Sequence, residues 1–176
     1  MQIKHLYEHY LDEELRRDIA ELLSESFDGY PKGRVFFHQI PALRILAFQG
    51  DTLTGHLAID HRIIHSGGVN FNIFGIVDLC VGKGYREAGL ASGMLKYLHD
   101  LAKKSSIDFL MLVSGANEFY LNRGFSIANN VCCWMMVQNN RSIGLVRRKL
   151  EEGLMYKAVG DKVWPETEID LLGHIF

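Results

Sequence analysis

Cysteine is scarce in this chain: Cys80, Cys132 and Cys133 are the only three in 176 residues. The count is odd, and two of the three are adjacent and poorly placed to bridge each other, which excludes a disulfide framework of the secreted type. A strong charge balance is also missing. The formal net charge is −2 and the isoelectric point is near 6.4, so no basic footprint points to nucleic acid or to an anionic membrane as partner. No apolar run approaches the roughly 20 residues of a membrane span, and the start, Met1-Gln2-Ile3-Lys4-His5, turns charged where a signal peptide would be apolar. Internal repeats and low-complexity segments are absent too. These lacks lead to the expectation of a cytoplasmic protein with neither a nucleic-acid nor a membrane partner.

What is present is apolar mass: 48% of the residues are hydrophobic, enough to bury a core without metal or disulfides. One domain over residues 1–176 is expected. Leu15, Ile19, Leu22 and Leu23 recur at helical spacing behind Asp12, Glu13 and Glu14, predicting a helix over residues 12–27. Residues 43–48 and 53–65 read as strands joined by Gln49-Gly50-Asp51-Thr52, and Gly67-Gly68 ends the second. A strand over 69–81 and an amphipathic helix over 90–104 follow, the latter with Leu90, Met94, Leu95, Leu98, Leu101 and Ala102 on one side. Residues 107–113 form a nearly unbroken apolar run, as a buried strand does; a short helix around 118–122 and strands over 131–137 and 153–159 complete the reading. Beyond Arg141 the pattern weakens, and Trp164-Pro165 opens a tail of mixed character.

Between the strand ending at Val81 and the helix starting at Leu90 lies Gly82-Lys83-Gly84-Tyr85-Arg86-Glu87-Ala88-Gly89. Small residues here let backbone N–H groups at a helix N-terminus approach a phosphate, where unpaired donors and the helix dipole favour negative charge. A Walker loop would need Gly-Lys-Ser/Thr, and a dinucleotide fingerprint would need glycine where Glu87 stands. Downstream comes Phe119-Tyr120-Leu121-Asn122-Arg123-Gly124-Phe125. In these two segments the chain resembles the GNAT (Gcn5-related N-acetyltransferase) superfamily, whose signature of Arg or Gln, two residues, Gly, one residue, Gly or Ala is met by Arg86, Gly89 and Ala91.

That resemblance implies an α/β fold: a mixed, mainly antiparallel sheet of six or seven strands, helices on both faces and a splayed parallel strand pair. It implies an acyl-coenzyme A-dependent N-acyltransferase acting on a primary amine of a small molecule or peptide, by direct attack in a ternary complex. Acetyl-coenzyme A or another acyl-coenzyme A is the expected donor, no metal is expected, and a homodimer is compatible with the reading. The cofactor-binding residues would be Arg86, Glu87, Ala88, Gly89, Leu90 and Ala91 around the pyrophosphate, with the backbone of Leu79, Cys80 and Val81 along the pantetheine arm. Tyr120 stands where the family commonly protonates the departing thiolate. A phenol near pKa 10 suits that task, because both it and a thiol near 8.5 stay protonated at neutral pH until charge develops. Asp78, on one strand face with Ile76 and Cys80, is the candidate base that takes the amine proton directly or through water; the alternative is an acid that anchors a backbone or pairs a cation. Two positions depart from the pattern: Lys83 replaces a frequent proline, and Val113 a frequent asparagine.

His61 and His65 are four apart in a strand-like segment, where that spacing makes no helical ligand pair, which argues against a metal site. His56 is the better histidine for substrate contact or proton relay, beside the alternative of a core or solvated ring. A weaker resemblance links Arg44, His56, Arg62, Gly67, Trp164-Pro165 and Ile169-Asp170 to the nodulation-factor N-acyltransferases, which would imply a longer acyl donor on a carrier protein and a sugar amine. Two readings of other classes remain beside the enzyme. One is a non-catalytic acyl-coenzyme A sensor, which would need Arg86 but not Tyr120; the other is a nucleotide-binding protein.

Overall fold

The computed structural model describes residues 1–86, 89–151 and 153–176. Glu87 and Ala88, both expected at the cofactor, lie outside the described residues. The chain forms two compact units, Met1–Asp60 with Ile76–Asp100, and His61–Gly75 with Leu101–Phe176.

The first unit opens with strand β1 (Gln2–Tyr7). Helix α1 (Glu13–Ser26) follows, capped by Asp12, whose side chain accepts the Leu15 N–H at 2.8 Å. This cap satisfies one of the helix's orphan donors, and Glu13 and Glu14 complement the dipole. The buried stripe Ile19, Ala20, Leu22 and Leu23 packs with Tyr30, Val35, Leu46 and Cys80. Strand β2 (Leu43–Gln49) runs antiparallel to β1 and to the first part of β3 (Thr52–Ser66), and the pair Gln49 with Thr52 leaves the two-residue turn Gly50-Asp51. The end of β4 (Val69–Val81) and most of α2 (Leu90–Lys104) complete this unit. A Cβ on Gly55 of β3 would meet Met94 Cε at 2.9 Å, so glycine there lets the strand lie against the helix.

In the second unit, β3 turns through Gly67 and Gly68, both at positive φ, into the first part of β4. Strand β4 pairs in parallel with β5 (Phe109–Val113) through Ile73 with Phe109, Phe74 with Leu110, and Gly75 with Met111. Short helix α3 (Asn117–Leu121) leads to β6 (Ser126–Ile127), β7 (Cys132–Gln138), β8 (Arg141–Arg148), β9 (Leu154–Ala158) and β10 (Ile169–His174). The hydrogen-bonded order is β6-β9-β5-β4-β3-β10-β7-β8, with β10 parallel to β7. Its core gathers Phe71, Ile73, Phe109, Met111, Trp134, Leu154, Ile169 and Leu171.

The mixed, mainly antiparallel sheet agrees with the α/β expectation, and the described residues carry more strands than the six or seven expected. Strands β1, β6, β8 and β10, which lie outside the six segments read as strands, account for the surplus. Strand β8 is exposed almost throughout, so it shows no buried alternation to read. Instead it is set by Asn139 and Asn140, both at positive φ, between the paired Gln138 and Arg141. Among the described residues no helix is long and apolar enough to cross a membrane.

Candidate active site

The first unit brings most of the expected residues together along one stretch of chain. Within β4, Asp78 takes φ +52 without ending the strand. For a non-glycine residue this left-handed conformation is costly and persists only where the surroundings enforce it. Two contacts do so. The Tyr30 hydroxyl donates to Asp78 Oδ2 at 2.7 Å, and the Asp78 carbonyl lies 3.0 Å from His56 Nδ1. Burial raises the Asp78 carboxyl above the usual carboxylate range, while the Tyr30 hydrogen bond, Arg44 and His38 pull it back down. Burial and the Asp78 charge push the Tyr30 phenol up.

Leu79, Cys80 and Val81 follow directly. Cys80 is buried and its thiol is pushed up to about 12, first by burial, so it is a poor nucleophile. Gly82 then donates its N–H to the Thr54 carbonyl at 2.9 Å, and Tyr85 N–H to the Gly82 carbonyl at 2.8 Å, closing a single 3-10 turn over Lys83–Tyr85. Arg86 is exposed and anchored through Nε on the Val81 carbonyl at 3.2 Å. Gly89 sits at φ +73, and its carbonyl accepts the Gly93 N–H at 2.9 Å, so it begins α2. A Cβ on Gly84 or Gly89 would meet nothing within 4 Å. Open space over a helix start, flanked by the exposed cations Lys83 and Arg86, fits a phosphate-bearing ligand. Leu90 is buried and Ala91 half-buried at the first turn of α2.

Tyr120 belongs to the second unit. It lies on α3 with its ring edge-on to Phe119 at 4.9 Å and to Phe125 at 5.5 Å between centroids. Burial raises its phenol and nearby Arg123 partly offsets this, so it holds its proton at neutral pH.

His56 takes the core alternative and not that of a substrate contact. It is wholly buried, with Nε2 2.7 Å from Arg44 Nη1. A guanidinium can only donate, so Nε2 accepts and Nδ1 carries the proton given to the Asp78 carbonyl. Arg44, also wholly buried, further donates to Glu8 Oε2 at 2.6 Å and to the Val35 carbonyl at 2.7 Å. His61 and His65 lie instead against Asn72 and Asn70, each at 2.8 Å. Sequence reasoning did not find Tyr30 or Glu8. Arg44 did leave a signal: a lone charge inside the apolar run Leu43-Arg44-Ile45-Leu46-Ala47.

Among solved structures, the GNAT family N-acetyltransferase YhbS from Escherichia coli, in complex with coenzyme A, is similar at TM-score 0.67 and 14% identity, over 96% of this chain and 88% of that one. An aminoglycoside 6'-N-acetyltransferase complexed with coenzyme A is similar at TM-score 0.65 and 13% identity, over 93% of this chain and 99% of that one. A probable N-acyltransferase from Enterococcus faecalis V583 is similar at TM-score 0.60 and 16% identity; the match covers 73% of this chain and only 33% of that longer one. At these identities the likeness is one of fold. No curated protein matches the sequence significantly. The model of the acetyltransferase (GNAT) domain matches residues 9–128, more than half of the chain, and the chain therefore belongs to the GNAT acetyltransferase family.

Proposed function

We propose that the protein transfers an acetyl or longer acyl group from acyl-coenzyme A to a primary amine, by direct attack within a ternary complex. The observation that carries this reading is the bend of β4 at Asp78. It presents a half-buried carboxyl of raised pKa immediately before the Leu79–Val81 backbone and the open glycine turn at the start of α2. A carboxyl moved toward neutral pH is a more effective base than an ordinary one.

In this reading the turn from Gly82 to Ala91 receives the pyrophosphate on backbone donors, with Lys83 and Arg86 beside it. The backbone of Leu79, Cys80 and Val81 aligns the pantetheine arm and stabilises the thioester oxyanion. The ammonium gives a proton to Asp78, directly or through water. The free amine attacks the thioester carbonyl and the C–N bond forms; the nitrogen then gives up a second proton to water, and the C–S bond breaks as the tetrahedral intermediate collapses to the neutral amide. Tyr120, held protonated by burial, gives its proton to the leaving thiolate. Positioning and oxyanion stabilisation supply most of the rate, since the nucleophile needs no covalent intermediate.

The test is a broad screen of amine acceptors, small molecules and peptides alike, with acetyl-coenzyme A, scored by free thiol release and by mass of the acylated product. Amine-dependent thiol release is expected. Tight acyl-coenzyme A binding without turnover on any amine would replace the enzyme by a sensor.

A further inference from the structure

A wholly buried arginine facing a wholly buried histidine needs a reason, since each is costly to bury unless its polar atoms are satisfied. In the first unit the contacts of the pair run from Glu8 and Val35 through Arg44 and His56 to the backbone of Asp78. Arg44 on β2 is held by Glu8 Oε2 at 2.6 Å and by the Val35 carbonyl at 2.7 Å. Its Nη1 donates to His56 Nε2 at 2.7 Å. His56 Nδ1, protonated as a consequence, donates to the Asp78 carbonyl at 3.0 Å. That carbonyl belongs to the one non-glycine residue at positive φ within β4 among the described residues.

We propose that His56, clamped by Arg44, is a positioning residue that fixes the bent Asp78–Leu79 peptide and thereby aims both the Asp78 carboxyl and the Leu79 N–H. In a trans peptide the carbonyl and the following N–H point in opposite directions within one plane. Pinning the Asp78 carbonyl onto His56 therefore turns the Leu79 N–H away from the buried ring. The same bend sends the Asp78 side chain to the Tyr30 hydroxyl at 2.7 Å. The tautomer is dictated rather than chosen: Arg44 can only donate, so His56 can only present N–H to the strand.

The inference rests on the acyl-transfer reading of Asp78 and Leu79, and the experiment separates the two. The full chain is prepared as parent, His56→Gln, His56→Ala and Asp78→Asn. In the parent, ring 15N shifts of His56 are expected to show protonated Nδ1 and bare Nε2 from pH 5 to pH 8. Glutamine carries one acceptor and one donor at a separation similar to that of the two ring nitrogens, so His56→Gln should keep most of the turnover. His56→Ala should lose about 10²-fold in kcat, the cost of misplaced groups, with KM for acetyl-coenzyme A within about twofold. Its acid limb in the pH–kcat profile should move, because the Asp78 carboxyl would face Tyr30, Arg44, His38 and Cys80 in altered geometry.

Three results overturn the proposal: a ring bare at Nδ1 or doubly protonated in that range; His56→Ala with parental kcat and acid limb; or kcat and KM falling together with the limb unmoved. Should His56→Ala not fold, the ring spectra and the His56→Gln profile decide. Absence of amine-dependent thiol release in the parent would overturn the acyl-transfer reading itself, whereas Asp78→Asn with full turnover would remove Asp78 as the base, and with it the clamp's purpose of aiming that carboxyl, whatever the ring spectra show.

Discussion

The two residues read as base and acid are held by different physics. Asp78 stands in the first unit, in a left-handed backbone conformation tied by Tyr30 to its side chain and by His56 to its carbonyl. Tyr120 stands in the second unit on a short helix, with its ring packed edge-on between Phe119 and Phe125. Hydrogen bonds place the first, ring packing the second. The base should therefore be sensitive to changes in residues that touch no substrate, and the acid only to loss of its own hydroxyl.

The strongest test of that contrast is chemical. Tyr120→Phe keeps the ring and its packing, so the fold and the coenzyme A dissociation constant should persist while single-turnover thiol release falls by about 10² to 10⁴. Single-turnover kinetics are needed because slow product release hides a slowed chemical step. Full activity in the folded variant would remove Tyr120 as the acid and leave water to protonate the thiolate.

Stability should divide along the same line. Arg44→Met removes a donor from Glu8, which keeps only the longer contact to Arg16 at 3.7 Å, and from the Val35 carbonyl and His56 at once, and breaking a buried charged network of this kind costs about 3 to 5 kcal/mol. Arg147→Met in the second unit breaks a bond to Glu168 of the same 2.6 Å length, but there the arginine is exposed, and the cost should stay within about 1 kcal/mol. Denaturant midpoints of the two variants make the comparison. Equal losses would show that the buried network is not what holds the first unit.

Acid should find the same difference. Burial first, then Arg44, holds the His56 ring down at about 3, with the Asp78 carbonyl opposing. An unfolded histidine titrates near 6.5, so below that pH the unfolded chain takes a proton that the folded one refuses. The stability contributed by the neutral ring is complete above about pH 6.5 and is lost as pH falls toward 3, at about 1.4 kcal/mol per pH unit. Asp78 acts with the opposite sign: its raised carboxyl keeps its proton longer when folded, so stability declines as pH rises through its titration. Subtracting the His56→Gln stability curve from the parental one isolates the histidine. A flat difference between pH 6.5 and 5 would contradict the buried neutral ring.

Much of this arrangement is legible in the sequence where local pattern and burial coincide. Helix α2 begins and ends at Leu90 and Lys104 as its periodicity predicts, and β4 runs from Val69 to Val81 as expected. The glycine turn is readable because phosphate chemistry restricts residue type. Strand β8 was hidden because its stability comes from pairing and a two-residue turn rather than from a buried face. Tyr30 was hidden for a different reason: its bond to Asp78 spans 48 positions, and nothing local to a tyrosine in a loop announces a distant carboxylate. His56 was visible as a residue of interest but not in its role, since a relay and a buried anchor look alike until Arg44 is placed beside it.

The mildest test concerns the cofactor turn of the first unit, where the backbone itself is the functional element. Gly89 lies at φ +73, where a β-branched residue is strained, yet a Cβ would find nothing within 4 Å. The folded protein thus has room for a side chain, and the cost of Gly89→Val is conformational, about 1 to 2 kcal/mol for the left-handed geometry. That strain drives the residue toward ordinary φ and displaces the peptide at the start of α2, while the new methyl groups occupy the open space that the reading assigns to the pyrophosphate. Together these should weaken coenzyme A binding by about tenfold or more, since each tenfold corresponds to about 1.4 kcal/mol. Dephospho-coenzyme A keeps the pyrophosphate and lacks only the 3'-phosphate, so it should suffer the same loss, whereas pantetheine, with no pyrophosphate, should not. Calorimetry on the folded variant with all three ligands makes the test. Parental affinity for coenzyme A would move the pyrophosphate elsewhere, and equal weakening of pantetheine would show that the substitution had disturbed the strand instead of the turn.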